Sequence, residues 1–394
     1  MTDERLGYAV CGDGKIVKTT DGGNNWFVLL ENDSVYCRSV EFVDTLTGYV
    51  GGFCRPSSTL AGNNVLRKTT DGGLTWTDLT PLIHQKAKRG ICGLAIADKT
   101  TIYGCGNWYQ DSGYIIKSTD AGSTWSFIDM RSYASSVIDM YFLNKDTGFA
   151  VGKGPRPQEA PIILYTTDGG ASWDYKFYST IPHGYCWKIQ RLDNKTFFGS
   201  IEDMGNVPAK IVKSVDGGMT WTMLQVSAVP YYLEGVGFID EKKGWAGGDQ
   251  SYSYETENGG VSWKKLAVCP YMNRVFRVND TLVFATGDKI WKFSDTLKIP
   301  PVPVQPQPEY LSMKCQPNPA DNYVTIDIKL SVSTHVLLTV FDVTGKRLKT
   351  LDNSERPKGD LKYDLSTDYL PVGNYFIMLK THEDKKVCKI LVRH

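Results

Sequence analysis

Arg38, Lys188, Glu234 and Arg274 fall at corresponding positions of short apolar strands, alongside Cys92 and Ile138. A fold that gathers those strands therefore sets three cations and one carboxylate on a single rung. Like charges converging in a concave site with low-dielectric walls require an answering anion. Glu234 answers one of them, and the remaining charge predicts a ligand carrying a carboxylate or sulfate. Flat apolar faces for such a ligand come from Trp108, Tyr109 and Tyr232, which lie in or beside variable loops. The structural alternative is a salt-bridged rim in which Glu234 neutralises a neighbour.

A catalytic use of the same residues is open as a second reading. Tyr232 and Glu234 stand close in sequence, as a nucleophile pair would, and Asp139, Glu202, Asp203 and Glu234 supply carboxylates of the kind glycoside hydrolysis needs in pairs. No H-E-x-x-H, P-loop, G-x-S-x-G or dinucleotide fingerprint occurs. The nine cysteines, Cys11, Cys37, Cys54, Cys92, Cys105, Cys186, Cys269, Cys315 and Cys388, include no C-x-x-C pair, so no metal and no cofactor is expected. Cys11 and Cys105 replace Gly52, Gly152 and Gly248 of equivalent strands and read as small buried fillers.

The element that must position all of these is a repeated turn. Ser/Thr-x-Asp-x-Gly-x-x-Trp first runs from Thr19 to Trp26 and recurs with the acidic position at Asp71, Asp120, Asp168, Asp216 and, as an amide, Asn258. Counted from Asp21 the steps are 50, 49, 48, 48 and 42 residues, the period of a unit of about four short strands. Each residue has a mechanical reason to be there. The carboxylate accepts hydrogen bonds from turn amides, and glycine adopts positive φ without a Cβ clash. The tryptophans, Trp26, Trp76, Trp125, Trp173, Trp221 and Trp263, open the next strand and bury a large ring against its neighbours. Six copies resemble the Asp-box (BNR) repeat of β-propellers. In that family the box is a folding device remote from the ligand face, so these residues are expected to be structural.

An aromatic followed by small residues recurs seven times, from Gly7-Tyr-Ala-Val to Val283-Phe-Ala-Thr. The first unit lacks its leading strand and the seventh its trailing one. The expected fold class is therefore all-β: a seven-bladed β-propeller, N-terminally truncated, followed by a small Ig-like β-sandwich. The alternative is that two blades close with three strands each. The propeller is expected over 1–298, a stiff Pro-rich linker over 299–309, and the sandwich over 310–394, where short alternating strands resume.

This tail carries a second resemblance. Pro317-Asn318-Pro319, Asp342 to Lys346, Leu370 to Tyr375 and Lys385 to Ile390 look like the C-terminal sorting domain of the type IX secretion system. That family implies export by a signal peptide, absent from the given chain, and then passage to the outside of a Gram-negative cell. In repeat style the propeller resembles photosynthesis-system assembly and stability factors, which implies a non-catalytic protein binder. With 44 Lys and Arg against 43 Asp and Glu, no global field collects nucleic acid, and no apolar run is long enough to span a bilayer. The expectation is a secreted or cell-surface binding protein. Its partners are a protein or acidic glycan at the propeller loop face, and the secretion machinery through the tail. The alternative is a secreted glycoside hydrolase of sialidase or xyloglucan-processing type.

Overall fold

The computed structural model describes residues 4–31, 35–54, 64–108, 112–202, 207–294, 311–342, 346–381 and 385–394. Tyr109, Asp203 and the expected linker lie outside them. The chain divides into two compact units, Met1–Ile299 and Pro300–His394.

In the first unit seven antiparallel sheets follow one another, numbered here 1 to 7, over 7–30, 35–78, 93–129, 136–178, 185–230, 233–266 and 274–294. Sheets 2 to 6 have four strands, and among the described residues sheets 1 and 7 have three. The leading strands of sheets 2 to 7 are Val35–Phe42, Gly93–Ile96, Ser136–Phe142, Tyr185–Arg191, Leu233–Phe238 and Arg274–Arg277. Each packs against the leading strand of the next sheet, so together they line an axis. This is a β-propeller. Two short 3-10 turns, Thr80–Leu82 and Gln85–Arg89, interrupt the path between sheets 2 and 3.

The boxes fold as their composition dictates. In the fourth, Thr166 Oγ1 donates to Asp168 Oδ1 at 2.8 Å, and Asp168 accepts from the Ser172 amide and hydroxyl at 2.9 and 2.6 Å. The Trp173 indole closes the turn on the Gly170 carbonyl at 3.1 Å. In the sixth, Asn258 does the same work: its Oδ1 accepts from Ser262 N at 2.9 Å and its Nδ2 donates to Ser262 Oγ at 2.8 Å. The third box departs from glycine, since Ala121 takes φ 56° where Gly72 and Gly169 take φ 71°.

Box carbonyls also clasp one sheet to the next. Lys18 Nζ reaches Gly72 O at 3.0 Å, Lys68 reaches Ala121 O at 2.7 Å and Lys117 reaches Gly169 O at 2.9 Å, each from the preceding sheet. The ring closes through further contacts. Asn279 Nδ2 donates to Glu4 Oε1 at 2.7 Å, Lys292 Nζ donates to Asn24 Oδ1 at 3.0 Å, and the Phe284 ring sits on Gly23.

The second unit is built from two sheets. One holds Leu311–Gln316, Tyr323–Leu330 and Gly359–Ser366; the other holds Thr334–Phe341, Arg347–Arg356, Gly373–Lys380 and Lys385–Val392. Val324, Ile326 and Ile328 of the first and Val336, Leu338, Ile377 and Ile390 of the second are fully or almost fully buried in a shared core.

Candidate functional site

A β-bulge aims the site. In an antiparallel pair an extra residue on one strand bends it and re-aims the side chain that has no opposite number. The leading strands shift register between Cys37 and Ser39, Val137 and Asp139, Cys186 and Ile189, and Leu233 and Gly235. The residues skipped are Arg38, Ile138, Trp187 with Lys188, and Glu234. Backbone groups at these bulges are tied within and across sheets: inside sheet 5 Lys188 N donates to Ser200 Oγ at 3.0 Å, and between sheets Ser200 Oγ donates to Glu234 O at 2.6 Å and Ile189 N donates to Asp139 Oδ2 at 3.4 Å.

Arg38, Lys188, Glu234 and Arg274 line one cavity of about 190 Å3. The same cavity extends along an apolar wall formed by Tyr8, Val40, Phe42, Phe276 and Phe284. A second cavity of about 320 Å3 lies beside it, lined by Asp139, Tyr141, Gln190, Arg191 and Arg277 among others. Glu41, Lys188 and Arg274 border both cavities.

The charge balance corrects the sequence expectation. Arg274 Nη2 lies 3.8 Å from Glu41 Oε1 and its Nη1 lies 3.8 Å from Asp139 Oδ1. Three cations thus face three carboxylates, and no two-charge excess remains to demand an acidic ligand. Glu41 lies off the aligned rung, and Asp139 enters the sequence reading only as a catalytic carboxylate, next to Ile138 on that rung. Burial pushes the Glu41 carboxyl up against the pull of Arg274, and it pushes Glu234 up against Arg38 and Lys188. Burial likewise lowers the Lys188 ammonium, opposed by Asp139.

Arg38 differs from the other two cations in its surroundings. Its guanidinium lies 5.8 Å from the ring centroids of both Tyr36 and Trp187. Trp187 stacks on Tyr185 at 5.0 Å and its indole donates to the Glu202 carboxylate. Glu202, one of the four candidate carboxylates, therefore positions an aromatic ring. The aromatics nearest the Arg38 guanidinium are Tyr36 and Trp187, which the loop-based reading passed over. Trp108 closes the strand Ile102–Trp108. Tyr232, 39 % exposed, is not among the residues lining the cavity, so the Tyr232 and Glu234 pair is not assembled there. Among the described residues no cluster of His, Cys, Asp and Glu is arranged to hold a metal.

Cys105 is fully buried, as a filler would be, whereas Cys11 is only half-buried. Among the described residues no helix is long and apolar enough to cross a membrane.

Residues 314–393 match the family described as the secretion system C-terminal sorting domain. The second unit is a sorting domain. The rest of the chain has relatives of a different kind. The chain is 27% identical over 150 residues to the photosystem II assembly lipoprotein Ycf48 of Synechococcus sp. (strain CC9902), a match spanning 37% of this chain and 41% of that relative. It thus spans less than half the length of that relative. A solved structure titled YCF48 bound to D1 peptide superposes with a TM-score of 0.54 at 16% identity, covering 75% of this chain and 91% of that one. YCF48 from Cyanidioschyzon merolae gives a TM-score of 0.54 at 16% identity over 76% of this chain and 94% of its own. At that identity the likeness speaks for the propeller fold that precedes the sorting domain.

Proposed function

We propose that the chain is an exported binding protein, carried across an outer membrane by the type IX secretion system through its sorting domain. Its first unit acts as a propeller of seven blades that holds an extended segment of a partner protein in the axial cavity. The observation that carries this reading is Arg38: a cation at a bulge, lining a cavity, within 5.8 Å of two aromatic ring centroids and beside an apolar wall. A backbone carbonyl of the bound segment meets Arg38, and its apolar side chains lie against Phe42, Phe276 and Phe284. The solved neighbour whose title names a bound peptide supports a peptide over a glycan.

Binding is favoured over hydrolysis because two of the candidate carboxylates are engaged. Asp139 faces Arg274, and Glu202 accepts from Trp187. A hydrolase of either geometry needs one carboxyl group poised as acid and one as base or nucleophile on opposite sides of the scissile bond.

An array of synthetic peptides varying in acidic and aromatic content, probed with wild type, Arg38→Ala and Arg38→Lys, tests the reading. Loss of a charge-assisted hydrogen bond of roughly 1.5–3 kcal/mol weakens binding by about tenfold or more. Lysine does not restore it, because an ammonium lacks the planar, multidentate donor set of the guanidinium. Binding of the array hits unaffected by either substitution overturns the site, and glycan turnover abolished by Glu234→Gln overturns the function.

A further inference from the structure

Leu311–Gln316 and Lys385–Val392 belong to different sheets, yet the chain leaving the first runs alongside the second. Ala320 forms a parallel bridge with Val392, and Ala320 N and Arg393 N donate to Leu391 O and Ala320 O, both at 2.8 Å. Asn318 clamps the same stretch, donating from Nδ2 to Lys389 O at 2.8 Å and accepting from Leu391 N at 2.9 Å. Asn318 and Leu391 are 73 residues apart, and the same separation counted on from Cys315 ends at Cys388.

Side-chain direction agrees with that register. Alternation along a strand puts Leu311, Met313 and Cys315 on one face of the first segment and Cys388, Ile390 and Val392 on one face of the second. All six pack on the same core. Both cysteines are thiols in the structure, the two segments pack on one another, and burial together with the neighbouring Cys388 pushes the Cys315 thiol up.

We infer that Cys315 and Cys388 are a disulfide pair that closes when the chain reaches an oxidising compartment. The compartment rests on the export reading above; the pairing rests on the sorting domain's own geometry. Disulfides persist in the periplasm and outside the cell, where thiols are not kept reduced. The oxidant is an external disulfide, as on a thiol oxidoreductase or oxidised glutathione. One protein thiolate attacks it, forming a mixed disulfide and releasing one external thiol. The second protein thiol gives up its proton, attacks the protein-side sulfur and displaces the other external thiol. Two protein thiols are oxidised, one external disulfide is reduced, and the bond formed ties the first strand of the domain to its last.

The test uses the full chain equilibrated with reduced and oxidised glutathione, quenched with acid, then alkylated in denaturant without reduction and mapped by mass spectrometry. The expected result is one linked peptide pair holding Cys315 and Cys388, with Cys37, Cys105 and Cys186 alkylated. Cys315→Ser and Cys388→Ser serve as access controls, the remaining thiol in each taking up glutathione. The inference is overturned if both wild-type thiols are alkylated while the single variants take up glutathione, or if either cysteine links to a different partner. Linkage in purified protein together with failure of export in the native host removes the export reading and leaves the pairing intact; absence of linkage does the reverse.

Discussion

Phe284 lies edge-on to Trp26 with ring centroids 6.2 Å apart, joining the last sheet of the propeller to the box of the first. Its ring also occupies the space a Cβ on Gly23 would need. Sheet 4 makes the equivalent contact with the box of sheet 5, where Phe149 covers Gly218. The ring is therefore sealed by the same contact that joins its middle, and Phe284 is almost fully buried in making it. Phe284→Ala is expected to destabilise the first unit by about 3–5 kcal/mol, the usual cost of emptying a buried phenylalanine site. Phe276→Ala, at a half-exposed position, should cost far less. Urea unfolding followed by tryptophan fluorescence compares the two, and equal costs would place the seam elsewhere.

Ala121 holds φ 56° at a turn position where the other boxes place glycine. The left-handed region costs an L-residue roughly 1–2 kcal/mol, and glycine returns part of that through its freer unfolded chain. Ala121→Gly is expected to stabilise the propeller by about 0.5–1 kcal/mol. A melting temperature that stays the same or drops would show that the alanine methyl has compensating contacts.

The fourth and sixth boxes set up a graded comparison at Asp168. Asparagine keeps the oxygen that accepts from the turn amide, as Asn258 does, whereas alanine leaves the amide and two hydroxyls without their acceptor. Asp168→Asn should cost a few tenths of a kcal/mol and Asp168→Ala about 1–2 kcal/mol. Ligand binding should survive both. A folded Asp168→Ala protein that no longer binds would contradict the structural role of the box.

Acid should loosen the boxes together. Asp120, Asp168 and Asp216 are each lowered from 3.8 to about 2, chiefly by the side-chain hydroxyls of Thr124, Ser172 and Thr220. A carboxyl that refuses a proton until about pH 2 when folded but accepts one near pH 3.8 when unfolded makes the unfolded state bind more protons between those values. Stability is then fully present above pH 3.8 and falls as pH drops toward 2. Urea midpoints measured down that range should decline, and replacing all three by asparagine should flatten the decline. A slope unchanged in the triple variant would assign acid sensitivity to other groups.

The boxes were legible because they are local: each turn is decided within a few residues of its own aspartate and glycine. The rung was legible for another reason, since Arg38, Lys188 and Glu234 occupy equivalent places in a repeat. Their neutralisation was not legible. Glu41, Asp139 and Arg274 come from sheets 2, 4 and 7 and meet only across the axis, at distances no spacing records. The bulges hid Trp187 in the same way, because an inserted residue changes which side chains face inward without changing composition. In the sorting domain, Arg347–Arg356 gave little strand signal. Its sequence Arg-Leu-Lys-Thr-Leu-Asp-Asn-Ser-Glu-Arg holds only two leucines, three residues apart rather than alternating, and as an edge strand it needs no full apolar face.

The sixth box has a bearing on how the protein ages. An asparagine followed by glycine is the pair most given to losing its amide, because the glycine nitrogen can attack the side-chain carbonyl and close a ring. In Asn258-Gly259 that nitrogen donates its hydrogen to Lys242 O at 2.8 Å, and the carbonyl it would attack is held by Ser262. The folded turn thus keeps nucleophile and electrophile each engaged elsewhere. Deamidation at Asn258 becomes a clock of local opening: it advances only in molecules whose last box has come undone.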